Sequence, residues 1–151
     1  MKDIFDPAVT EELIGRILTL EPETRPLWGR MSAPQMLAHC CVSFELAYGE
    51  GGHPRPGPVA RLALRAFVKQ GVVGEKPYRK NLPTAPVFRI RDERDFGRER
   101  ERLIGYLRRT SELGADHFDG RDYPSFGRLT KTEWNNLFYK HLDHHLTQFG
   151  V

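Results

Sequence analysis

The chain has 151 residues, enough for one domain with a sizeable core and too few for two of ordinary size. Hydrophobic residues at 39% and charged residues at 28% describe an ordinary soluble protein, and no apolar run nears the roughly 18 residues of a membrane span. The net charge of +3 is too weak a surplus for a nucleic-acid binder, and the start, MKDIFDPAV, lacks the apolar core of a signal peptide. A cytoplasmic protein is the expectation.

From Pro7 to Leu20 the spacing of Val9, Leu13, Ile17 and Leu20 predicts an amphipathic helix with Glu11 and Glu12 in its first turn. Pro22 and Pro26 end it and lead to Trp28-Gly29. Ser32 and Gln35 form a capping box for a second helix, which Gly49 stops after Tyr48. His39 flanks the apolar stripe of that helix (Met36, Cys40, Phe44, Ala47), with Ser43 between His39 and the stripe. In a helix bundle such flanking positions converge on a shared pocket, although a single histidine there also serves as a hydrogen-bonded packing residue. Cys40 and Cys41 are adjacent on the helix, so their side chains diverge and read as reduced thiols rather than a disulfide.

The stretch EGGHPRPGP predicts a loop with a solvated His53. PVARLALRAFVKQ follows as a short, basic, amphipathic helix. Its brief apolar face points to packing in the bundle or against a subunit rather than to a membrane surface. From Gly71 to Arg91 the chain reads as a long, Pro-punctuated crossover, a functional cover or a well-packed strap. Its Lys76, Arg79, Lys80 and Arg89 are either positive charge beside a pocket or scattered solvated charges. Asp92 to Leu113 predicts a third long helix closed by Gly114, with Phe96, Leu103, Ile104 and Leu107 inward and Asp95, Arg98, Glu99 and Arg102 outward. His117, Asp119 and Asp122 in the loop beyond read as turn residues rather than a second metal site.

The last helix, Leu129 to Val151, carries the chemistry. Thr130 and Glu133 make its capping box, Leu129 and Trp134 a hydrophobic staple, and Gly150 its stop. At about 100° per residue, Trp134, Phe138, Leu142 and Phe149 form the buried stripe, while Asn136, Lys140, Asp143 and Thr147 form the polar side. His141 and His145 lie beside the stripe one turn apart, and His144 leans outward. Neutral imidazole offers one lone pair per ring, so an inward i, i+4 pair suits a divalent cation. The alternative is one packed and one surface histidine. No phosphate-binding Gly loop, Ser-centred elbow, CxxC pair or internal repeat is present.

The succession WGRMSAPQMLAHC, LPTAPVF and GRLTKTEWNNLFYKHLDHHLTQFG resembles the DinB-like (YfiT-like) metalloenzymes, in a branch known mainly as a domain of unknown function. The likeness spans almost the whole chain as one domain, residues 1–151. It implies an all-α, up-and-down four-helix bundle, here with a short extra helix and a long irregular crossover. It implies a three-His site for a divalent metal on His39, His141 and His145, followed by Gln148, often in a homodimer; three imidazoles do not choose sharply among the transition metals Zn, Ni, Fe and Mn. Some relatives are thiol-dependent transferases or isomerases using bacillithiol or mycothiol. Leu146-Thr147 precede Gln148 here, where the commoner ending has Arg-Gly. The expectation is a metal-dependent hydrolase or thiol-dependent transferase acting on a small molecule, with neither nucleic acid nor membrane as partner. No general acid stands out in the sequence; Tyr48, Glu45 and Gln148 are placed nearby by inference alone. A non-catalytic or stress-related bundle, its metal structural or absent, is the alternative.

Overall fold

A computed structural model describes residues 1–151, which form six α-helices and one two-stranded hairpin. The helices are α1 (Pro7–Leu18), α2 (Ala33–Tyr48), α3 (Pro58–Phe67), α4 (Lys69–Val73), α5 (Phe96–Phe118) and α6 (Lys131–Gln148). The hairpin pairs β1 (Asp122–Tyr123) with β2 (Gly127–Arg128). The protein is mostly helical, as expected.

Capping sets the two elements that matter for the site. Ser32 with Gln35 and Thr130 with Glu133 both form reciprocal capping boxes at the starts of α2 and α6. Gly49 ends α2 at φ 71°, a left-handed conformation that a Cβ would strain. Leu129 and Trp134 are both buried on either side of the second box.

The long helices α1, α2, α5 and α6 enclose the core, with α2 packed most extensively on α5. Phe44 of α2 stacks on Phe138 of α6 at 4.7 Å, and Phe118 and Trp134 close around Phe138 at 5.5 and 5.4 Å. These aromatics each remove large apolar areas from water and hold α2 against α6. Arg16 ties α1 to α6 through Asp143 (2.7 Å) and the backbone carbonyl of Val151.

Several expectations change. The first helix ends at Leu18, where a tightened last turn takes over, and Glu11 and Glu12 fall beyond its first turn. α5 begins at Phe96 because Asp95, not Asp92, is its N-cap, accepting from the Arg98 amide. Gly114 (φ 72°, ψ 167°) kinks α5 rather than closing it, and helix resumes to Phe118. Glu99, expected outside, is buried beneath Arg102, which also reaches Glu45 of α2. Asn136 and Lys140, expected on the solvent side of α6, are buried because the crossover covers them. Their polar tips donate to the carbonyls of Val73, Gly71 and Gly74. α3 fully buries none of its residues; Leu64 packs partly against the core, while Val59, Leu62 and Phe67 remain exposed.

Candidate metal centre

His39 comes from the middle of α2, and His141 and His145 come from the last two turns of α6. Their ring centres form a nearly equilateral triangle with sides of 4.9, 4.5 and 4.8 Å. One donor nitrogen from each lies within 4.8 Å of the other two. The Nε2 atoms of His39 and His141 are 2.9 Å apart. Two metal–nitrogen bonds of about 2.0–2.1 Å nearly span the widest of these separations. His39 and His145 are buried, and His141 keeps some exposure.

The far nitrogen of every ring has a partner. His39 Nδ1 donates to the carbonyl of Phe88 at 2.7 Å. A carbonyl only accepts, so this nitrogen carries the proton and Nε2 of the neutral ring keeps its lone pair. Gln148 reaches the same result for His145 through two bonds. Its Nε2 donates to the Trp28 carbonyl at 2.6 Å, which turns Oε1 towards His145 Nδ1 at 2.8 Å. Ser43 Oγ lies 2.7 Å from His141 Nδ1 and completes the set. Oriented imidazoles with their second nitrogen tied to an acceptor are the usual surroundings of metal-ligating histidines.

Electrostatics keep the rings neutral. Burial lowers the pKa of His39, and burial with the neighbouring histidines pushes His141 well down. His145 falls to about 3, first through burial and then through the nearby His39. No carboxylate belongs to the cluster. At neutral pH the three rings therefore offer lone pairs, with no proton to displace.

The crossover roofs the triad. Its short 3-10 turn, Pro86–Phe88, sets the Phe88 ring 5.4 Å from His39 and 5.7 Å from His141. Beneath Gln148, Gly29 has φ 86°, and a Cβ there would come within 2.5 Å of Gln148 Nε2. The loop of Trp28-Gly29 thus requires glycine for two reasons, conformation and space.

The structure brings together His39, His141, His145 and Gln148, and leaves other candidates elsewhere. His144 turns outward to stack edge-on with Trp28 and Tyr78, lining a cleft of about 390 Å³ with Lys80 and Asp143. Tyr48 is hydrogen-bonded to Thr110. Glu45 binds Arg102 and His53, so His53 is anchored at 2.5 Å rather than solvated. His117, Asp119 and Asp122 form no cluster; each is taken by a basic side chain or a backbone amide. Cys40 and Cys41 are buried, free thiols, and burial raises the pKa of Cys41 to about 12. Neither is a ready thiolate. Ser43 and Phe88 went unassigned from sequence. Ser43 had a signal, lying one turn after His39 on the same face; Phe88 had none of its own.

These features define a mostly helical protein with a buried cluster of three histidines that could hold one metal ion. The chain belongs to the DUF1569 family of proteins of unknown function, which it matches over residues 8–150. Neither a curated protein nor a solved structure matches it.

Proposed function

We propose that His39, His141 and His145 bind one divalent transition-metal ion and that the protein is a metal-dependent enzyme acting on a small molecule. The observation that carries this reading is the convergence of three neutral imidazoles, each held by an outer partner. Three nitrogen ligands leave coordination positions open, which is how catalytic sites are built. The ion would supply Lewis acidity, enough to favour the deprotonated form of a water or thiol at neutral pH. The Phe88 ring covers part of the triad, while Gln148, Ser43 and the Phe88 carbonyl hold the rings in register. Hydrolysis and transfer to a low-molecular-weight thiol are the two reactions this chemistry serves. Zn, Ni, Fe and Mn all suit imidazole to similar degrees.

The motif resemblance supports a DinB-like four-helix bundle, with α1, α2, α5 and α6 as the four helices and a homodimer as the expected assembly.

The test is elemental analysis of untagged protein purified without chelator, beside His39→Ala and His145→Ala. Near-stoichiometric metal in the wild type, lost in both variants with helical circular dichroism retained, is the expected result. Metal-free protein that also refuses added zinc, nickel and manganese overturns the proposal.

The roof of Phe88 favours a second reading, a closed and non-catalytic metal site. Azide added to the cobalt-loaded protein separates them. A shifted visible spectrum reports an exchangeable position, and an unchanged one reports a closed site.

A further inference from the structure

The charge of this protein is unevenly placed. Residues 51–91, which comprise α3, α4 and the crossover, hold nine Lys and Arg and a single acid, Glu75. That segment therefore carries +8, and because the whole chain carries +3, the remainder carries −5. Arg61 and Lys69 pair with Asp122 and Glu133 of the hairpin and α6, and Lys80 lies over the Trp28 ring at 4.3 Å. The seven besides Arg61 and Lys69 are exposed and have no carboxylate partner.

Exposed apolar side chains gather in the same segment. Of the nine large hydrophobics exposed in the chain, five (Val59, Leu62, Phe67, Val68 and Leu82) lie within it. α3 explains most of them. The Arg61 and Lys69 ion pairs fasten α3 and α4 to the body, and on the wheel Val59, Leu62, Ala63, Ala66 and Phe67 then share the outward side with no charge among them. Val59 is 84% exposed, Leu62 67% and Phe67 87%. An isolated exposed leucine needs no explanation; a whole uncharged helix face turned to water does.

We infer that the 51–91 segment docks on an anionic lipid surface, with Leu62 and Phe67 of α3 entering the headgroup–acyl boundary and the arginines and lysines that have no partner in the chain meeting lipid phosphates. A helix with a basic polar side and a Leu/Phe apolar side has this interfacial character. No helix is long and apolar enough to cross a membrane, so the contact is peripheral. A second copy of the chain is disfavoured because face-to-face pairing would bring two segments of +8 together. Nucleic acid would satisfy the cations and leave Leu62 and Phe67 in water. An anionic bilayer answers both the charge and the apolar face. The inference is independent of the metal reading, although the segment that docks also carries Phe88 onto the histidines.

The experiment is flotation of the full chain with vesicles of phosphatidylcholine containing about 30% phosphatidylglycerol, and with vesicles of phosphatidylcholine alone. Binding to the anionic vesicles, weakened by salt and weaker on the neutral ones, is expected. The double variant Leu62→Asp, Phe67→Asp should lower partitioning at least about tenfold with circular dichroism unchanged, because both side chains lie outside the core. Arg65→Glu should weaken binding with a reduced salt dependence. No binding to anionic vesicles, equal binding by the double variant, or concentration-dependent self-association abolished by that variant would each overturn the inference.

Discussion

Gln148 shows how one amide joins two parts of the chain at the site. It accepts from His145, donates to the carbonyl of Trp28, and sits against Gly29, which leaves it room. Gln148→Ala removes the acceptor that sets the His145 tautomer, and loss of such an outer partner costs about 10–100-fold in metal affinity. Competition with a zinc chromophore should show that loss with circular dichroism retained. The histidines themselves impose a pH dependence on the metal-free protein. Their pKa values are lowered by burial, so the unfolded chain binds protons that the folded one does not as pH falls below about 6.5. Stability is therefore full above that pH and declines towards the depressed folded values. His145, at about 3, alone removes about 2 kcal/mol between pH 6.5 and 5. Urea midpoints measured across this range, with His145→Gln as the comparison, check the slope, which should be shallower in the variant.

At the scale of elements, α2 and α5 meet through charge as well as packing. Arg102 of α5 lies between Glu99 on its own helix and Glu45 on α2, and Glu45 also holds His53 at the foot of the loop after α2. Both carboxylates are buried, while Arg102 is partly exposed. Arg102→Leu leaves two buried acids facing each other without their cation. Breaking a fully buried pair costs about 3–5 kcal/mol, and the partial exposure here brings the expectation to about 2–3 kcal/mol. Denaturant unfolding measures it, and added Glu45→Gln should recover part of the loss. The crossover works differently, reaching α6 mainly through backbone carbonyls that receive Asn136 and Lys140. Those bonds, with the buried Val73 and the partly buried Val87, Phe88 and Ile90, fasten a segment with few regular elements beside the triad.

For the whole molecule, the three-His cluster joins the mid-part of α2 to the end of α6, so an ion bound there would stabilise only the folded arrangement. At free metal about 1,000 times its dissociation constant the gain is about 4 kcal/mol, which for a chain of this size raises the thermal midpoint by roughly 8–16 °C. Differential scanning fluorimetry should show that rise with zinc or nickel, its reversal by chelator, and its absence in His39→Ala. The distribution of charge is also a property of the whole. A net +3 conceals a basic excursion and an acidic remainder, whereas the expectation of no membrane partner rests on the lack of a spanning apolar run and on the brevity of the apolar face of α3.

The sequence by itself determined what local rules govern. Both capping boxes, the glycines that end α2 and follow α6, the apolar stripes of those helices and the i, i+4 spacing of His141 and His145 depend on residues within a turn or two of each other, and all are present in the fold, whereas Gly114 kinks α5 instead of ending it. His39 could be placed beside its stripe, although its meeting with the α6 pair was an expectation of bundle geometry and resemblance. Only tertiary structure decided what lies between segments distant in sequence. Phe88 approaches His39 across 49 residues, the Trp28 carbonyl meets Gln148 across 120, and Arg102 of α5, which covers the buried Glu99, reaches Glu45 of α2 across 57. α3 shows the limit most plainly. Its periodicity specifies that one face is apolar and the other basic, but which face meets the body depends on the Asp122 and Glu133 partners supplied by the hairpin and α6, and no pattern within ten residues contains that information.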